Sequence, residues 1–217
     1  MNRTGLVRTA TVAGLAAALG FAAAAPAMAA GPALVTTVAD LDGNGEIETV
    51  TAQLTGDSDQ LISATVNGTY TSIHLPADSQ FGIEAPRVTD LNGDGRAELV
   101  VTQSVGANTT FYSVLHYDGR NLSQVVGADD KPFSVAEGGG VAAHLGYQCT
   151  PLEGGRAFTT VAAENDDVSR PVDQMTYSGT RTVYTLRDGA LSVYEKTPFS
   201  ARPAKDPVLA TDSGSCA

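Results

Sequence analysis

A stretch of nineteen residues recurs fifty positions later in this chain, and that self-similarity constrains the fold more than any other feature. Val38-Ala39-Asp40-Leu41-Asp42-Gly43-Asn44-Gly45-Glu46-Ile47-Glu48 is answered by Val88-Thr89-Asp90-Leu91-Asn92-Gly93-Asp94-Gly95-Arg96-Ala97-Glu98. From 38 to 56, nine of nineteen residues match their counterparts, including Val50/Val100, Gln53/Gln103 and Gly56/Gly106.

The repeat continues beyond the polar loop. Asn67-Gly68 lies 27 residues after Asp40, and Asp118-Gly119 lies 28 after Asp90. Each pair sits between β-rich runs: Ser63–Val66 and Tyr70–Ile73 in the first copy, Phe111–Leu115 and Leu122–Val126 in the second. Asn-Gly and Asp-Gly supply the two positive-φ residues of a type I′ turn, so both read as hairpins. A worn third copy runs Pro151-Leu152-Glu153-Gly154-Gly155-Arg156-Ala157, followed by an apolar strand at Phe158–Val161 and a hairpin around Asp188-Gly189. The acidic insert between them, Glu164 to Gln174, reads as an exposed loop. Each unit is therefore expected to be a loop, two strands, a tight turn and a further strand.

No helix-period segment of useful length appears after the first thirty residues, and β-branched and aromatic residues crowd the strand candidates. The class is all-β. Units of about 36–80, 81–136 and 137–200 would form a single repeat domain, 30–217. Such units suggest propeller-like blades, yet three are fewer than the roughly four to eight of a closed ring. A further weak blade near the termini, an open or partial propeller, or a small β-sandwich are the alternatives.

The loops carry the chemistry. Oxygen-bearing side chains stand at positions 1, 3, 5 and 9: Asp40, Asp42, Asn44 and Glu48 in the first, Asp90, Asn92, Asp94 and Glu98 in the second. Ca2+ is a hard ion that takes about six to eight oxygens, and alternate residues of a tight loop turn their side chains inward to supply them. Position 7, Glu46 or Arg96, offers its backbone carbonyl. Three carboxylates and one amide per loop favour a divalent cation. A helix-loop-helix calcium site is excluded, because position 12 is Thr51 or Val101 rather than Glu and strands flank the loop. The other reading of these loops, Gly-Asn-Asp turns closed by Asx hydrogen bonds, binds nothing.

This pattern, with Phe81-Gly82 and Ala85-Pro86 ahead of the second loop, resembles the FG-GAP/VCBS repeat family of integrin-α-like propellers and secreted bacterial proteins. The likeness covers residues 36 to 126 well and 141 to 195 poorly. It implies four-stranded propeller blades and calcium ligands at positions 1, 3, 5 and 9. The family usually carries Asp at position 9, where both copies here carry Glu. The third copy has Pro151 at position 1 and lacks position 5, so no metal is expected there.

The first thirty residues have the form of a secretory signal: Arg3 and Arg8, an apolar run from Ala10 to Ala25, and small residues at Ala27-Met28-Ala29 that place cleavage after Ala29. The alternative is an anchor, but a membrane span needs about 20 residues and Pro26 breaks this run. With 13 basic against 24 acidic residues, the surface repels nucleic acid and anionic membranes and favours cations. In an oxidising compartment Cys149 and Cys216 read most economically as one disulfide, two free thiols being the alternative.

Catalytic constellations are not evident. His74, His116 and His144 form no metal-spaced pair and lie beside no nucleophile elbow, and Glu164-Asn165-Asp166-Asp167 reads as a solvated insert. Two functions are expected in turn. The first is a secreted, non-catalytic calcium-binding repeat protein whose partner is an extracellular protein or carbohydrate. The second is a secreted hydrolase on a calcium-stabilised propeller scaffold.

Overall fold

A computed structural model describes residues 34–217. The signal segment expected at 1–29 and its cut site lie outside the described residues. Strands β1 (Leu34–Ala39), β2 (Glu48–Leu54), β3 (Asp59–Val66) and β4 (Thr69–Pro76) form an antiparallel meander paired in chain order. A second meander follows, of β5 (Arg87–Thr89), β6 (Glu98–Val105), β7 (Thr109–Tyr117) and β8 (Leu122–Gln124). Strand β8 pairs with Leu115–Tyr117 of β7, and β9 (Ser134–Gly138) then takes over the same edge at Thr109–Ser113. Strands β10 (Ala143–Leu152), β11 (Gly155–Asn165), β12 (Thr176–Arg187) and β13 (Ala190–Pro203) make the third meander. It joins β9 through one register pair, Leu145↔Gly138. The protein is thus all-β, with a four-stranded and a nine-stranded sheet, neither closed into a barrel. No helix among the described residues is long and apolar enough to cross a membrane.

Apolar alternation explains how the three meanders stack. In β2 and β3 every second residue is buried, so Val50, Ala52, Ile62, Ala64 and Val66 present one face. That face packs on Leu99, Val101, Leu115 and Tyr117 of the second meander. The middle meander is covered on both sides, and Glu98-Leu99-Val100-Val101 is accordingly buried throughout. Its other face, with Val100, Tyr112, Val114 and Val135, meets Tyr147, Phe158, Leu186 and Leu191 of the third. Each large side chain removed from water there contributes about 1.5–3 kcal/mol.

The hairpin at Asn67-Gly68 has the positive φ values expected of a type I′ turn, 49° and 76°, and Asp188-Gly189 repeats them at 48° and 75°. The turn at Asp118-Gly119 departs from the expectation. Only Gly119 of that pair has positive φ, and the connection takes four residues because Asp118 accepts from the backbone N–H groups of Arg120 and Asn121 at 2.8 and 2.7 Å. Each unit also has a strand ahead of its loop that the sequence pattern did not reveal: β1, β5 and β10. The acidic insert is exposed beyond Asn165, but Glu164 and Asn165 continue β11 through pairing with Ser178 and Tyr177.

Candidate cation-binding loops

The repeated loops span the turns between β1 and β2 and between β5 and β6. Glu48 opens β2 opposite Ala39, and Glu98 opens β6 opposite Thr89. Both glutamates point inward, at 7% and 4% exposure, and fold back onto the loop. The Leu41 N–H donates to Glu48 Oε2 at 2.9 Å, and the Leu91 N–H to Glu98 Oε2 at 2.8 Å. Leu41 and Leu91 anchor the loops in the two cores. Position 9 therefore closes each loop on position 2.

Position 1 organises the rest. Asp40 accepts from the N–H groups of Gly43 and Gly45, each at 2.8 Å, and Asp90 accepts from Gly93 and Gly95 at 2.6 and 3.4 Å. Further along, Asn44 Oδ1 accepts the Glu46 N–H and Asp94 Oδ1 accepts the Arg96 N–H, at 2.6 and 2.8 Å. The side chains of Glu46 and Arg96 are exposed.

The two loops differ in their carboxylates. Asp40, Asp42 and Glu48 offer oxygens that all lie within 4.8 Å of one another, and no other group of three carboxylate, histidine or cysteine ligands does so among the described residues. In the second loop position 3 is Asn92, which donates to Asp94 Oδ2 at 3.0 Å and ties that carboxylate into the loop. No ion pair among the described residues involves any of the six loop carboxylates. Burial, with Asp94 and Asp90 adding repulsion, pushes the Glu98 carboxyl up to about 8. An oxygen-only donor set, partly buried and without a cationic side chain to balance it, fits a hard divalent cation.

Two parts of the surroundings escape sequence reasoning. Asn67, read only as a turn residue, donates from Nδ2 to Asp42 Oδ2 at 2.5 Å and accepts from Asn44 Nδ2 at 3.3 Å. Its distance from Asp40 in the sequence was visible; its reach to the loop was not. The loops also stack on the next unit. Gly43, at φ 75°, lies where a Cβ would come within 3.0 Å of Arg96 Cγ, and Gly93, at φ 77°, where a Cβ would come within 3.1 Å of the backbone of Gly155 and Arg156. Both positions need glycine twice over, for backbone conformation and for space.

The expected disulfide is present. Cys149 of β10 is bonded to Cys216, with Cα atoms 4.8 Å apart. The histidines are dispersed: His74 meets Asp59 at 2.7 Å on the surface, His144 lies edge-on to Tyr177, and His116 lines a cleft with Asn92, Asp94, Asp118 and Asp188. Burial holds His116 and His144 below the usual imidazole range.

No protein-family model, curated protein or solved structure matches the chain.

Proposed function

We propose that this is a secreted, non-catalytic calcium-binding repeat protein of the FG-GAP/VCBS type, an extracellular module for a protein or carbohydrate partner. The observation that carries the cation reading is the convergence of Asp40, Asp42 and Glu48 within 4.8 Å, with no basic side chain in an ion pair with them among the described residues. Bringing three carboxylates together costs repulsion that a divalent cation offsets. The second loop repeats the same closure by its position 9 glutamate, which supports a second site. Three antiparallel four-stranded meanders stacked face to face support the propeller-blade reading, as an open or partial assembly. Exposed Val38, Ile47 and Tyr70, at 59%, 63% and 63%, flank the first loop and support a partner-binding role. The disulfide supports secretion.

Calcium bound by the folded state alone stabilises it by mass action. With extracellular-type affinities of about 10⁻⁴ to 10⁻³ M, roughly 5 mM calcium adds about 1 to 2 kcal/mol per site. Thermal melting of EDTA-treated residues 30–217 should shift upward with added calcium and not with the same ionic strength of sodium. Identical melting in both salts would rule the reading out.

A further inference from the structure

We propose that the third unit and the disulfide-held C-terminus set the cation affinity of the second loop, with Arg156 as the positioning residue, and that the first loop is independent of both. The inference rests on the cation reading above.

The backbone of the second loop is pinned at the two residues that open its ligand series. The Asp90 N–H donates to the Cys216 carbonyl at 2.9 Å. The Asp90 carbonyl accepts Arg156 Nη1 at 3.0 Å, and the same nitrogen reaches the Cys216 carbonyl at 3.3 Å. The Asn92 carbonyl accepts the Arg156 N–H at 2.7 Å. Both peptide groups flanking Asp90 and the one following Asn92 are thereby held from outside the loop. Their orientation fixes where the two side chains point.

The anchor behind this brace is firm. Cys216 is fully buried and bonded to Cys149, whose N–H also donates to Ser215 Oγ at 2.9 Å. Glycine at 155 is required by the contact, since a Cβ there would collide with the Asn92 carbonyl. The worn third copy thus retains a Gly-Arg pair where it presses on the second loop, although it lacks the ligand series. At the first loop the corresponding brace is one backbone bond, from the Ala97 N–H to the Asp40 carbonyl at 2.8 Å, and it comes from the second unit. Among the described residues, neither Arg156 nor the C-terminal tail makes a hydrogen bond to the first loop.

Partners that orient metal ligands without touching the metal are worth about 10- to 100-fold in affinity. Asp40→Ala isolates the second loop and Asp90→Ala the first, so calorimetric calcium titration can read each separately. In the Asp40→Ala background, Arg156→Ala should weaken binding by about tenfold or more. Arg156→Lys, which keeps a cationic donor, should recover much of the loss. Reduction of the disulfide should weaken the same site. In the Asp90→Ala background none of these changes should alter affinity, whereas a general loss of structure would weaken both loops. Equal weakening of the two loops, or an unchanged second loop after Arg156→Ala, would overturn the inference. If neither parent variant binds calcium, the cation reading itself fails and takes this inference with it.

Discussion

The two loops share a sequence pattern and differ in what surrounds them. The first lies beside the meander whose outer face is open, and the side chain of Asn67 from the next hairpin turns in to hold Asp42. The second lies between the middle and third meanders, and its main chain is held by Arg156 and the carbonyl of Cys216. The equivalent hairpin turn does not visit it, because Asp118 spends its carboxylate on its own turn. One loop is organised through a side chain, the other through its backbone. Near-identical repeats can therefore hold the same ligand pattern by different means, and the third copy, which lacks the ligands, serves as a support.

The disulfide should produce the largest difference between the two. It closes a chain segment of 67-residue separation, worth about 4 kcal/mol as an upper figure in the chain-entropy model. Cys216→Ser should lower stability towards that limit in urea unfolding, and hydrogen exchange should rise at Asp90 and in β10 while β2 and β3 keep their protection. A melting curve unchanged by Cys216→Ser would mean that the staple does not hold the tail.

Next in size is Asn67. Asn67→Ala should weaken the first loop by about tenfold, by releasing Asp42, and leave the second loop unaffected. Asn67→Asp keeps a residue that tolerates the left-handed turn, so it separates the cost of the turn from the cost of the contact. If Asn67→Ala changes both loops alike, the contact is incidental.

The smallest expected effect concerns pH. Burial raises the Glu98 carboxyl in the metal-free fold to about 8, against an ordinary carboxylate value near 4.5. Between those values the folded state holds more protons at this group than the unfolded state, so its contribution makes metal-free stability fall as pH rises through the window. Calcium must displace that proton, so binding at the second loop should release protons at pH 7 and tighten towards pH 8. Titrations of the Asp40→Ala variant in buffers of different ionisation enthalpy measure the release. No proton release would show that Glu98 is already ionised or is not engaged by the cation.

What the sequence made legible was local. The ligand series, the glycines and the type I′ turns at Asn67-Gly68 and Asp188-Gly189 depend on residues a few positions apart, and all three were readable. The all-β class followed from the same patterns. The strands ahead of the loops were not readable: β5 is only Arg87–Thr89, and β1 alternates on a sheet with one open face, so neither forms an apolar run. The bracing of the second loop was hidden for another reason. Arg156 acts on Asp90 across 66 positions and partly through main-chain groups, which every residue carries and no motif marks. Asn67 was visible as a turn residue, but its second contact depends on how β3 and β4 pack beside the loop.

Calorimetric titration of the EDTA-treated protein with calcium tests the central claim most directly. Two saturable sites should be found, with Asp40→Ala removing one and Asp90→Ala the other while each variant keeps its fold. The absence of saturable binding in the unsubstituted protein, or the loss of both sites on either substitution, would contradict the account.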